Sequence, residues 1–236
     1  MKKIYLFLSI IVLLSAKLTA QQAYFKAPAG TATTNVRAPN GSIGHTTMRG
    51  AFVVTASELA NIATVPQING FGFNLIGGTA STPVTGTIQV YLQNTNDVTY
   101  TKGGTWSTII TGMTSVYNDT MTIPSGSTIA QAVNVLFPTA FTYTGGGLYV
   151  AYDWISNGPF EASATVANYQ SETNIATGGA SSASSSTNAP TILGLTNFRP
   201  NFNFGYINTF TNEASVQLVK NHGKIPLTMY APYSFT

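Results

Sequence analysis

Few side chains in this sequence could perform acid–base catalysis, and the most suggestive pair is Asp153 and Glu161. They flank the turn signal Asn157-Gly158-Pro159 and could meet across a hairpin. Two carboxylates that face each other in this way can act as the acid and the base, or the acid and the nucleophile, of a glycoside hydrolase. A hydrolase acting through these two residues is therefore the catalytic hypothesis that the residue types permit.

The neighbours of Asp153 suggest a second kind of chemistry, the binding of a sugar. Tyr152 and Trp154 flank this carboxylate, and aromatic rings beside a carboxylate can stack on a sugar ring. The candidate ligand-binding residues of such a glycan-binding module are Trp106, Tyr152, Asp153 and Trp154. Strand alternation offers a structural explanation that we prefer, in which Tyr152 and Trp154 enter the core and Asp153 points outward.

Other catalytic and metal-binding patterns are missing from the sequence, so we predict no catalytic residue, no cofactor and no metal site. The nearest approach to a Gly-x-Ser-x-Gly nucleophile elbow is residues 40–44, where Asn40 replaces the first glycine. His45 and His222 both lie in turn-like stretches. The run Asn94-Thr95-Asn96-Asp97 resembles a calcium-binding loop but lacks the alternating acids of one. Zinc is not expected in a chain without cysteine and with two distant histidines.

The first 20 residues are typical of a secretory signal peptide. Met1-Lys2-Lys3 is a short basic start, an apolar run follows at residues 4–14, and small residues lead to Ala20. The apolar run is shorter than the roughly 20 residues that span a bilayer. We therefore expect cleavage after Ala20 and export of residues 21–236 to the cell surface or the extracellular space, with the periplasm as an alternative.

Removal of this segment leaves a chain without net charge. Three of the ten lysines and arginines lie in it, so seven basic residues remain against seven acidic ones. Charged residues make up only 7% of the chain, whereas 44% of its residues are hydrophobic. This composition supports a folded core but provides no basic surface for nucleic acid. Because the chain has no cysteine, burial and sheet hydrogen bonds must hold the domain together.

Alternation of apolar and polar residues with a period of two dominates the exported chain and predicts β-strands. It is clearest at residues 71–75, 86–93, 148–154 and 202–206, and further strands are predicted at 51–56, 115–123, 132–137, 160–169 and 215–220. Turn signals rich in glycine and proline separate these segments. Strands that bury one face and expose the other are typical of antiparallel sheets. We predict an all-β antiparallel β-sandwich, similar to a jelly roll, in a single domain after the signal peptide.

This pattern divides the exported chain into three regions. Residues 21–48 are an extended N-terminal segment that lies on the surface or supplies one edge strand, residues 49–220 form the sandwich domain, and residues 221–236 are a linker or an extra strand. Within the domain, residues 178–188 contain no large apolar side chain. We therefore predict a mobile loop there.

A succession of strand and turn patterns between Arg49 and Trp154 resembles a known module. It comprises residues 51–59, 88–92, 101–103, 105–106, 116–117, 122–126, 141–146 and 148–152. The succession is similar to the N-terminal β-sandwich module of secreted, multidomain surface proteins of the Bacteroidota, which often leave the cell by the type IX route. The resemblance implies adhesion or protease domains beside the module and a sorting domain at the end of the protein. We recognise no sorting domain after Lys224, so either the chain is part of a longer protein or its export ends in the periplasm.

These observations lead to one functional hypothesis and two alternatives. The leading hypothesis is a secreted, non-catalytic β-sandwich module for adhesion, assembly or scaffolding at the cell surface, with an extracellular glycan or a surface protein as its partner. A glycan-binding module is the first alternative, and a hydrolase acting through Asp153 and Glu161 is the second. Edge strands with few charged residues also suggest weak self-association.

Overall fold

The computed structural model describes residues 21–27, 32–34, 37–40, 42–78, 83–124, 131–158, 167–172 and 178–208. Residues Gln22–Ile207 form one compact unit. The predicted signal peptide, Glu161, His222, the predicted strand at 215–220 and the C-terminal region 221–236 lie outside the described residues. Within the described ranges, no helix is both long enough and apolar enough to span a bilayer.

The described chain consists almost entirely of β-strands joined by turns. One short helix, α1, spans Trp106–Ile109, and single 3-10 turns span Ile43–His45 and Ala60–Ile62. The strands are β1 Gln21–Ala27, β2 Ala32–Thr34, β3 Thr47–Val54, β4 Gln67–Gly78, β5 Val84–Thr95, β6 Thr114–Ile123, β7 Gln131–Thr142, β8 Gly147–Ser156, β9 Ala167–Glu172, β10 Gly179–Ser184, β11 Gly194–Thr196, β12 Arg199–Pro200 and β13 Phe202–Asn208.

The strands form two antiparallel sheets in a jelly-roll order. One sheet has six strands in the order β11-β10-β3-β8-β5-β6. The other has seven strands, in which β4 pairs with β7, β9 and β13, β9 also pairs with β2 and β12, and β1 pairs with β13. The orders β2-β9-β4-β7 and β3-β8-β5-β6 are those of an eight-stranded jelly roll. The predicted all-β sandwich is therefore confirmed, and β10 and β11 extend one of its sheets.

The core lies between the two sheets and is built by the alternation along each strand. On β8, Leu148, Val150, Tyr152 and Trp154 all face inward and are buried. The opposing sheet contributes a cluster of phenylalanine rings whose centroids lie 5.1–6.4 Å apart, formed by Phe71, Phe73, Phe202 and Phe204. Full burial of each such side chain contributes about 1.5–3 kcal/mol to folding, so these rows hold the sheets together.

Glycines in three strands make room for the largest core side chains. A Cβ atom on Gly50 or Gly86 would lie 2.5 Å from the ring of Tyr152 or Trp154, respectively. A Cβ atom on Gly179 would lie 2.2 Å from the ring of Phe52. These distances are too short for any side chain, so the aromatic rings occupy the space that the missing side chains leave.

The region 178–188 corrects one sequence-based expectation. It was predicted to be a mobile loop, but Gly179–Ser184 forms β10, which pairs with β3 along its whole length and with β11 on its other side. Small residues are required here because Gly179 packs against Phe52 and Ala180 is buried under α1. Low apolar content therefore reflects close packing in this strand. For residues 21–48 the sequence predicted a surface segment or one edge strand; the structure has β1 at the end of the seven-stranded sheet and β2 paired with β9.

Candidate functional site

The outer face of the six-stranded sheet carries the features that could bind a partner. Cross-strand register places Ala180, Ala51 and Ala151 side by side on this face. Trp106 and Ile109 of α1 pack on these three alanines together with Leu193, forming a second apolar cluster outside the main core. The segment between β5 and β6 therefore folds back over its own sheet and fills the slot above the alanine row.

An ion pair at the rim of this cluster holds Asp153. The Nε and Nη2 atoms of Arg49 donate hydrogen bonds to Oδ2 of Asp153 at 3.0 and 2.8 Å, and Nη1 donates to the carbonyl of Pro190 at 2.9 Å. The guanidinium carbon of Arg49 lies 4.8 Å from the centroid of the Trp106 ring, which is a cation–π contact. Trp106 and Asp153 thus come together on the outer face, but they engage Arg49 there.

The predicted ligand-binding set is divided between the outer face and the core. Tyr152 and Trp154 are fully buried, and Trp106 is only 7% exposed. The Tyr152 hydroxyl donates a hydrogen bond to the carbonyl of Arg37, inside the protein. Asp153 faces the opposite side of the sheet from Tyr152 and Trp154, as strand alternation requires. Neither tryptophan therefore presents a ring face on which a sugar could stack in this structure.

A serine and a histidine do meet, but in a closed turn. Oγ of Ser42 lies 3.0 Å from Nδ1 of His45, three residues later in the chain. Ser42 is 3% exposed, and its backbone N–H donates to Oδ1 of Asn40. Burial and the nearby positive charge of Arg37 lower the pKa of His45 to about 4, so the imidazole is neutral at pH 7. The pair joins the start and the end of the turn before β3, and the serine hydroxyl is buried there.

The loop that resembles a calcium site uses its oxygen atoms within the protein. The Asp97 carboxylate accepts hydrogen bonds from the hydroxyls of Tyr149 at 2.6 Å and Thr101 at 3.1 Å. These bonds hold the pKa of Asp97 below its ordinary value. Among the residues that the structure describes, no three or more histidines or acids are grouped so that they could hold a metal ion.

Four large apolar side chains are exposed around β11. Leu195 is 74% exposed, and Val98, Ile192 and Phe198 are exposed as well. Leu195 lines a shallow cleft of about 210 Å³ with Thr99, Tyr100, Gly178, Gly179, Thr196 and Asn197. Val98 and Phe198 directly adjoin the lining residues Thr99 and Asn197 in the chain. We call these four side chains and the cleft the β11 edge patch.

The β11 edge patch was not expected from the sequence. Ile192, Leu193 and Leu195 form an apolar run after Pro190 that would be typical of a buried strand. Only Leu193 is buried, because it lies under Trp106 in the second cluster. Leu195 is 74% exposed, so no element within the described residues covers it.

No protein-family model matches the chain, and a search of curated proteins finds no match.

Proposed function

We propose that this chain is a secreted, non-catalytic β-sandwich module that serves adhesion or assembly at the cell surface by binding another polypeptide at the β11 edge patch. The observation that carries the proposal is the exposure of Leu195 beside the cleft on the last strand of the sheet. The resemblance to surface modules of the Bacteroidota agrees with such a role.

The apolar side chains of the patch favour a polypeptide as the partner. Large apolar side chains that are exposed beside a cleft mark interaction surfaces on a soluble protein, and burial of Leu195 in an interface would contribute about 1.5–3 kcal/mol. The cleft of about 210 Å³ is smaller than the roughly 300–1,000 Å³ of a typical small-molecule site. It has room for a side chain of a partner protein.

The position of the patch at a sheet edge suggests how the partner binds. Among the described strands β11 pairs only with β10, while Ile192 just before it forms a bridge with Thr105. The open side of an end strand can accept an extended segment as a further strand. In that arrangement backbone hydrogen bonds supply affinity, while the cleft and the exposed side chains supply selectivity.

The charged groups next to the patch are already engaged within the protein. Nε of Arg37 donates a hydrogen bond to Oγ1 of Thr196 at 3.2 Å, and its guanidinium lies over the ring of Phe198. Asp97 is held by Tyr149 and Thr101. Recognition therefore depends on apolar contact, and we expect the affinity to change little with salt concentration.

The proposal is tested by the binding of the fluorescently labelled exported chain to intact cells of its source, measured by flow cytometry. We expect saturable binding that unlabelled protein displaces and that Leu195→Asp weakens by about tenfold or more. Because Leu195 is mostly exposed, this substitution should leave the melting temperature unchanged. The matched control is Thr122→Asp, an exposed position on β6 at the other end of the sheet, which should bind like the wild type.

Two outcomes would contradict the proposal. One is the absence of saturable binding, and the other is equal binding by wild type and Leu195→Asp.

A glycan array with the same labelled chain tests the alternative of a glycan-binding module. We expect no binding to the array that is lost when Trp106 or Trp154 is replaced. Protease treatment of intact cells tests the surface location, since a surface protein is degraded and a periplasmic one is protected.

A further inference from the structure

β6 is the other end strand of the six-stranded sheet, and it is longer than β11. It spans ten residues, and β5 is its one partner among the strands that the structure describes. Most of its exposed residues are threonine, serine and asparagine. A long end strand with few charges is a template on which a second copy of the same protein can add a strand, so something must prevent this pairing if the protein is to stay monomeric.

The backbone of Thr120, in the middle of this strand, is occupied by side chains of β6 itself. The Thr120 N–H donates to Oδ1 of Asp119 at 2.7 Å, and the Thr120 carbonyl accepts a hydrogen bond from the Tyr117 hydroxyl at 2.8 Å. In an antiparallel strand the N–H and the carbonyl of one residue point to the same side. An N–H directed at Asp119 is turned away from β5, so both groups of Thr120 lie on the open edge.

Asp119 also occupies an unusual row of the strand. Its cross-strand partner Ile88 is fully buried, and Met121 and Ile123, which follow at alternate positions of the same row, are buried as well. Asp119 therefore stands in the row that faces the core, yet it is exposed. A second copy that paired with β6 would cover this carboxylate and remove its water, which is unfavourable for an unpaired charge.

We propose that Asp119 and Tyr117 form an edge cap that prevents a second copy of this chain from adding to β6. The cap acts through hydrogen bonds, because the carboxylate and the phenol occupy the donor and the acceptor that an incoming strand needs at Thr120. It also acts through charge, because the carboxylate must be desolvated before a strand can pair. β7, which lies close to β6 at the edge of the other sheet, carries Pro138 in the corresponding role.

The test compares the molar mass of variants over a range of concentrations by light scattering after size exclusion. We expect the wild type to be monomeric and the double variant Tyr117→Phe/Asp119→Thr to self-associate about tenfold or more strongly. Asp119→Asn keeps the Oδ1 acceptor without the charge, so it should associate less strongly than the double variant. Asn118→Thr is the matched control, since it changes an exposed neighbour but neither bond of the cap, and it should remain monomeric.

A third substitution shows whether any association uses β6. Thr120→Pro removes the N–H that faces the open edge, a place where sheets tolerate proline. Added to the double variant, it should restore the monomer. The proposal is overturned if the double variant stays monomeric with a native circular dichroism spectrum, if Thr120→Pro fails to restore the monomer, or if Asp119→Asn associates as strongly as the double variant.

Discussion

The two ends of the six-stranded sheet expose their backbones to the same solvent but present different surfaces to it. β6 is ten residues long, and its exposed residues are mainly polar, with two side chains bound to the backbone of Thr120. β11 is three residues long, and Leu195 and the nearby Ile192 and Val98 remain exposed. Strand length alone would make β6 the more adhesive end. The side chains reverse that order, which is why we assign partner binding to β11 and protection to β6.

The strands between the two ends explain why this difference can persist in one domain. α1 covers the alanine row in the middle of the outer face, and Leu193, which directly precedes β11, is anchored under Trp106. The chain that enters β11 is therefore packed in the same cluster that covers the face.

The largest effect on this comparison should come from Arg199, which fixes the chain where it leaves β11 for the other sheet. Arg199 is fully buried and forms hydrogen bonds with both carboxylate oxygens of Glu58 and with the carbonyl of Val53. Arg199→Ala leaves the Glu58 carboxylate without its partner, and we expect a loss of about 3–5 kcal/mol in the free energy of unfolding. Chemical denaturation measures this loss.

A double variant separates the ion pair from the packing of the arginine side chain. Arg199→Met/Glu58→Gln keeps most of the volume and removes both charges, so it should lose clearly less stability than Arg199→Ala. Equal losses would mean that the unpaired charge of Glu58 is not the cause. Arg199→Ala should weaken binding at the β11 edge patch. It should not cause self-association through β6, because β6 lies at the opposite end of the sheet, so the molar mass by light scattering should stay that of a monomer.

Acid should loosen the β11 end before the β6 end. The pKa of His45 is about 4 in the folded protein, against an ordinary value of 6.5, so the unfolded chain binds the proton more readily between these values. The free energy of unfolding is therefore not reduced by His45 above pH 6.5. It falls as the pH is lowered from 6.5 to 4, by at most about 3 kcal/mol. The turn that holds His45 contacts β10, so hydrogen exchange should increase in β10 and β11 more than in β5 and β6.

The control for this pH effect is His45→Gln, which cannot be protonated and should lose the decline between pH 6.5 and 5. Burial alone would raise the pKa of Glu58, but its bonds with Arg199 hold that pKa below its ordinary value of 4.5. The stabilising contribution of the Glu58 carboxylate is therefore lost only at a lower pH than the one at which the decline caused by His45 begins. An unchanged decline in His45→Gln would exclude the histidine as its source.

The smallest effect should distinguish the two glycines of the paired strands β10 and β11. Gly179→Ala places a Cβ atom 2.2 Å from the Phe52 ring and 2.7 Å from the carbonyl of Ala51, and such overpacking costs about 1–3 kcal/mol. At Gly194 the nearest atom lies 3.8 Å from the added Cβ, so Gly194→Ala should be nearly neutral. Thermal unfolding of both variants measures the difference. If Gly179→Ala were as nearly neutral as Gly194→Ala, β10 would be free to move away from Phe52.

Local sequence patterns predicted most of the strands and one decisive orientation. Alternation along β8 put Asp153 on the face opposite to Tyr152 and Trp154, and the structure has that arrangement. The same rule applied to β6 would have found the edge cap, because Asp119 occupies a row otherwise filled by buried apolar residues. β10 escaped prediction because its small residues are explained by neighbours far away in the chain, Phe52 and Trp106.

The sequence by itself determined which residues alternate and hence that the chain folds as stacked antiparallel sheets with little reactive chemistry on their surfaces. Only the tertiary structure decided which strands lie at the ends of a sheet, that Trp106 is covered, and that Leu195 is exposed. The physical reason is that alternation assigns a side chain to one of two faces, whereas exposure depends on which distant segment comes to lie over that face. For β11 no described segment does, and for β6 its own side chains protect the backbone.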